Sequence, residues 1–272
     1  MSGAPAPLPD PPRPPRGDGL AARVLAPALL VAALLAIWEL YARLGSVDDF
    51  ILPAPSEIAE ALWTDRSLLW SNLLVTAQEV GLGVLASLVL GFALAVALHF
   101  SGVLRRGAYP LLVASQAVPI VIVAPLLVVW FGFGIVPKLA IIALVCFFPV
   151  VVTTLDALGG VDPDQLKLLR TLDASRWQAF RWAEAPAALP AAFTGVRVAA
   201  AVAVIGAVFA EWAGSDAGLG HTLLTANGEL DTPRAFAATA LLFALAVALY
   251  GAVGLLERRV VTWTPRSTHG DT

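Results

Sequence analysis

Polar residues in this chain are gathered into short runs, and the apolar blocks between them are long enough to be read as membrane spans. A helix rising 1.5 Å per residue needs about 20 mostly apolar residues to cross a hydrocarbon core of about 30 Å. Six blocks reach that length, at roughly 22–42, 74–98, 108–131, 137–157, 192–212 and 235–256. The fourth is the tightest, with 17 uncharged residues between Lys138 and Asp156. That is about 26 Å of helix, so both charges are expected at the interfaces. The third carries Pro110, Pro119 and Pro125. Prolines this frequent predict kinks, which are tolerated where neighbouring helices or water satisfy the freed carbonyls, and so place this span inside the bundle.

The run from 158 to 191, LGGVDPDQLKLLRTLDASRWQAFRWAEAPAALPA, is too polar to span. Its portion from Asp164 to Trp182 reads as helix–turn–helix. Asp162 or Asp164 can cap the first turn, with Pro163 at a tolerated early position. Leu166, Leu169 and Leu172 then recur at helical spacing as an apolar edge. A short amphipathic helix at a membrane face can lie on anionic lipid or fit a groove on a partner.

Composition agrees with spans. Hydrophobic residues make up 58% and charged residues 14%, with a mean hydropathy of +0.81; too few polar residues exist to cover a globule in water. The net charge of −3 and the lack of a basic block argue against a nucleic-acid partner. The first nineteen residues are Pro-rich with little to bury and are expected to be disordered. A signal peptide is the rival reading of this end, but the stretch before the first apolar block is long for one and no clear cleavage site follows, which favours a retained helix.

Basic residues orient the chain. With the N-terminus inside, Arg13, Arg16, Arg23, Arg105, Arg106, Lys167, Arg170, Arg176, Arg181, Arg197, Arg258, Arg259 and Arg266 fall inside and only Arg43, Arg66, Lys138 and Arg234 outside. That asymmetry predicts both termini in the cytoplasm, with Trp38, Trp130 and Trp212 near outer helix ends.

Catalytic templates are missing from the sequence. No G-x-x-x-x-G-K-[ST] and no H-E-x-x-H occurs, and Gly214-Ser215-Asp216 lacks the nucleophile elbow. Two polar residues at span depth are candidates for a translocation path, Gln116 and Glu211. For Gln116 an interhelical hydrogen bond is the competing expectation. Glu211 reads equally as path lining or as a charge just clear of the hydrocarbon beside Trp212. Ala199, Ala203, Gly206 and Ala210 are expected to pack helices closely, and Cys146 to be a small core hydrophobe.

The polar loop resembles the cytoplasmic coupling loop of ATP-driven, binding-protein-dependent (ABC) importer permeases. Lys167-Leu168-Leu169 stands where the family has Glu-Ala-Ala, Asp173 where it has Gly, and Ala183-Glu184-Ala185-Pro186 where its motif ends. RTLDASRWQAFRW with PAALPAAFTGVRVA is similar to the nitrate/sulfonate/taurine-type permeases, as are FILPAPSEI at 50–58, VPIVIVAPLLVVWFGFG at 118–134 and AGLGHTLLTANGELDTPRAF at 217–236. The segment from Val204 to Pro233 looks more like permeases for thiamine-pyrimidine precursors or riboflavin. A Gly at the position of Asp173 lets the chain turn tightly at positive φ, which Asp adopts more readily than most residues though less easily than Gly.

The resemblance implies an all-α, six-helix bundle of the type I importer transmembrane fold in a bacterial inner membrane. It also implies a homodimer, with a dimer of ATPase subunits that binds ATP outside this chain, an extracytoplasmic binding protein, and surrounding lipid. Leu169, Leu172, Asp173, Ala174, Ser175 and Arg176 would form the ATPase-coupling segment. The expected organisation is a disordered tail (1–20), a first span with an external amphipathic segment (21–71), a transmembrane domain (72–260) holding the coupling loop (158–191), and a cytoplasmic tail (261–272). A membrane scaffold or passive channel that uses the loop on lipid or a partner is the alternative.

Overall fold

The computed structural model describes residues 20–45 and 51–263, with side chains from Leu25 onward. Most of the tails expected at 1–20 and 261–272, with Asp48 and Asp49, lie outside those residues. The described residues are helical, without strands. Five helices are long and apolar enough to cross a membrane, or six if one bent pair counts as a single span.

α1 (Leu20–Leu44) is peripheral, with its apolar side chains largely exposed. Its C-terminal part touches the rest through Trp38 on Phe236, at 6.1 Å between rings, and through Glu39, which pairs with Arg43 and accepts from Ser56 N at 3.0 Å. α2 (Pro55–Thr64) is a short helix that follows the first span. Pro55 opens it, and Glu57 reaches back to accept from Ala54 N at 2.9 Å. α3 (Arg66–Phe100) runs 35 residues without a proline, well beyond the predicted 74–98.

The third predicted span is broken. α4 (Gly102–Ser115) and α5 (Ile120–Phe131) meet at 103° across residues 116–119. Pro119 has no N–H to give and holds Val118 out of the helical region, so the last turn of α4 cannot continue into α5. The expectation that this span lies inside the bundle is also overturned within one chain. α4 has no buried residue, and α5 buries only Ala124 and Val128 while exposing Val121, Ile122, Val129 and Trp130.

α6 (Ile135–Gly159) ends at the polar loop. There follow α7 (Pro163–Thr171), the four-residue α8 (Arg176–Ala179), a π turn at Phe180–Glu184 and α9 (Ala185–Gly214). α10 (Leu219–Gly228), which the hydropathy pattern does not reveal, leads into α11 (Thr232–Val260).

α3, α6 and α9 form the core, because their facing residues are small enough for close contact. Gly206 and the buried Ala199, Ala203 and Ala210 let α9 approach α6, and a side chain at Gly206 would lie 3.2 Å from Ile142 Cα. Cys146 is buried as expected, with its Sγ donating to the Ala199 carbonyl at 3.3 Å.

Candidate functional site

α3 and α9 each reach both ends of the bundle, and each end gathers polar side chains. At the loop end, Asp162 caps α7 by accepting from Asp164 N at 2.9 Å, with Pro163 at the first helical position. Lys167 pairs with Asp164 at 2.7 Å. The helix stops at a Schellman turn: Asp173 N donates to Arg170 O and Ala174 N to Leu169 O, while Asp173 takes φ +55°. Ser175 then begins α8 with a capping box, accepting from Gln178 N and donating its own N–H to Gln178 Oε1 at 2.7 Å. Back-to-back stop and start signals fix the tip as a tight corner.

The predicted apolar edge is split. Leu166 and Leu169 are half-buried, but Leu172 lies past the last helical residue and is 70% exposed, beside Leu168 at 61%. Arg176 turns away from the tip. Its Nη2 donates to the His99 carbonyl at 3.1 Å, and its guanidinium sits 4.9 Å from the Phe100 ring centre, on the last turn of α3. Phe100, Trp177 and Phe180 pack there as an aromatic cluster, and His99 Nε2 meets Glu184 Oε2 at 2.7 Å.

The far end holds Glu211. It is 1% exposed and neither faces an open path within this chain nor stands clear beside Trp212. Its carboxyl group accepts from Thr76 Oγ1 at 2.6 Å and from Gly220 N and His221 N, amides in the first turn of α10. Thr76 Oγ1 accepts from Leu219 N, and Asn72 Oδ1 from Gly218 N, whose φ of +110° requires glycine. An anion on a helix N-terminus is the favourable electrostatic arrangement. Beside it, Lys138 donates to Glu79 Oε1 at 2.7 Å and to Ser215 Oγ at 2.6 Å. Lys138 is therefore turned into the bundle rather than held at an interface, because Glu79, itself 2% exposed, supplies the opposite charge.

Gln116 and Glu211 share no hydrogen bond. Gln116 is exposed at the break between α4 and α5, and its amide reaches only Ser115 Oγ, at 3.5 Å, so the expected interhelical bond is not made. Sequence reasoning missed Asn72, Thr76 and Glu79, although spacings of four and three put them on one face of an apolar span. It also passed over His99, Phe100 and Glu184, whose meeting needs the tertiary fold.

Comparison with known proteins supplies the context. Residues 87–262 match the family model described as "Binding-protein-dependent transport system inner membrane component". The chain is 38% identical to a probable ABC transporter permease protein of Haemophilus influenzae, covering 88% of this chain and 98% of that one. It is 34% identical to the formylaminopyrimidine transport permease protein ThiX of Halalkalibacterium halodurans (89% and 96% covered), and 38% identical to the riboflavin transport system permease protein RibX of Chloroflexus aurantiacus (85% and 87%). A crystal structure of an amino acid ABC transporter with histidines has the same fold, with a TM-score of 0.61 at 16% identity over 73% of this chain and 97% of that one.

Proposed function

The chain belongs to the binding-protein-dependent transport system inner membrane components and is a permease subunit of an ABC importer; from that premise we propose that its loop, from Asp162 to Arg176, docks on a separate ATPase subunit. The observation that carries this is the tip itself. A Schellman turn and a capping box hold Asp173, Ala174 and Ser175 in one conformation, with Leu168 and Leu172 left exposed beside them. A fixed corner with an exposed apolar pair suits a groove on a rigid partner, whose affinity gains from preorganisation.

In this reading both termini and the loop are cytoplasmic, ATP is bound by the partner, and the external protein delivers solute at the far end. A second copy covers the exposed apolar face of α4 and α5. Gln116, polar and exposed at the break in that face, lines the path, whereas Glu211 shapes it from behind by holding α10. The relatives named for a formylaminopyrimidine and for riboflavin support a planar nitrogen heterocycle as the solute class. Family membership leaves the scaffold alternative without support.

The experiment is Ala174→Glu. Ala174 is half-buried at the corner, and a glutamate there would place a bulky unpaired charge in a desolvated contact, at a cost of several kcal/mol. The variant is expected to insert normally but to lose both transport and co-purification of the ATPase. Normal recovery of both would end the docking assignment.

A further inference from the structure

α3 carries contacts to other elements at both ends: His99 and Phe100 at the loop, Asn72, Thr76 and Glu79 at the far cluster. From Thr76 to His99 is 23 residues of helix with no proline, a rod of about 35 Å. At the loop end the rod is gripped rather than merely touched. Arg176 adds a charged donor to the C-terminal carbonyls of α3, where a cation is favoured, and lies on Phe100. The largely buried His99–Glu184 pair fastens the same turn to the π turn that leads into α9. At the far end the same helix holds α10 through Thr76 and Asn72 and holds α6 through Glu79.

We infer that His99 and Glu184 are positioning residues that make α3 the rod by which displacement of the loop reaches the far-end cluster of Thr76, Glu79 and Glu211. The inference rests on the docking reading above and adds to it a specific element and a specific fastening. Without the His99–Glu184 bond the tip keeps its own turns and caps, which lie wholly within 162–178. Docking therefore survives, while α3 keeps only the Arg176 and Phe100 contacts to the loop and follows its stroke less fully.

The test uses the full complex of permease and ATPase in lipid nanodiscs. A nitroxide is placed at Trp70→Cys, an exposed position near the far end of α3; native Cys146 is buried and leaves the label a single site. Inter-copy distances are read by pulsed electron resonance without nucleotide and after trapping with ATP and vanadate. The parent complex is expected to shift on trapping. His99→Ala is expected to retain ATPase recovery and ATP hydrolysis but to show a markedly smaller distance shift, and His99→Gln, whose amide can still donate to Glu184, to restore it. A full shift in His99→Ala would overturn the inference. So would loss of ATPase recovery in that variant, which would make the pair a plain support of the docking surface, and so would failure of His99→Gln to restore the shift. Failure of the docking reading itself is seen separately, as normal ATPase recovery in Ala174→Glu.

Discussion

At the scale of single residues, the two ends of the bundle illustrate opposite uses of charge. Asp173 is tolerated where the family pattern has Gly because its short polar side chain accepts positive φ. Asp173→Gly should therefore be neutral or slightly stabilising, whereas Asp173→Val should cost about 1–2 kcal/mol by forcing a β-branched residue into that region; thermal unfolding in detergent compares the two. Glu211 is the reverse case, a buried carboxyl group that serves three donors. Glu211→Ala strands a hydroxyl and two backbone amides and should destabilise by about 3–5 kcal/mol. Glu211→Gln keeps an acceptor for the amides but turns an NH2 toward Thr76, whose hydroxyl loses its acceptor, so a smaller cost of about 1–2 kcal/mol is expected in the same assay. The Lys138–Glu79 pair behaves as a unit: Lys138→Met leaves a buried carboxylate uncompensated at about 3–5 kcal/mol, and adding Glu79→Leu should recover most of it. Loss of additivity in that double-mutant cycle is the measurement, and simple addition of the two costs would refute the pairing.

At the scale of elements, the positions of α6 and α9 follow from what is absent between them. A Cβ at Gly195 would stand 2.8 Å from the Pro149 carbonyl and against the Thr153 side chain, whereas at Gly81 it would meet nothing within 4 Å. Gly195→Ala should force the two helices apart, at a cost of about 1–3 kcal/mol. Gly81→Ala should instead stabilise α3 by about 0.5–1 kcal/mol through helix propensity. Equal melting temperatures for the two variants would contradict the crossing. The broken span shows the limit of pattern reading at this scale. Hydropathy averages over Gln116–Pro119 and returns one block, because four uncharged residues barely change a window of twenty. The 103° bend comes from backbone sterics at Val118-Pro119, to which a hydropathy window is blind. α10 was hidden for a similar reason. Its ten residues are too short for a span, and its N-terminus is specified by Glu211, Thr76 and Asn72 from distant parts of the chain.

At the scale of the whole molecule, the proposed orientation makes a prediction of its own. Leu172 and Asn227 are exposed at opposite ends of the bundle. Asn227→Cys should react with a membrane-impermeant maleimide in intact cells, and Leu172→Cys only after permeabilisation; the opposite pattern would invert the topology. The sequence by itself determined that the chain crosses a membrane, where five of its spans lie, and that a capped, charged loop with a positive-φ residue interrupts them. Those properties depend on local physics: apolar length against bilayer thickness, turn chemistry, and small residues at helical spacing. Only the tertiary structure decided that Glu211 is spent inside on α10, that Lys138 faces Glu79, that Arg176 grips α3 rather than pointing from the tip, and that the proline-rich span lies at the edge of the chain. A polar side chain near a span end has about the same local sequence whether its partner is water, lipid or a helix 135 residues away in the chain, as Thr76 is from Glu211. Its fate is set by which surfaces meet.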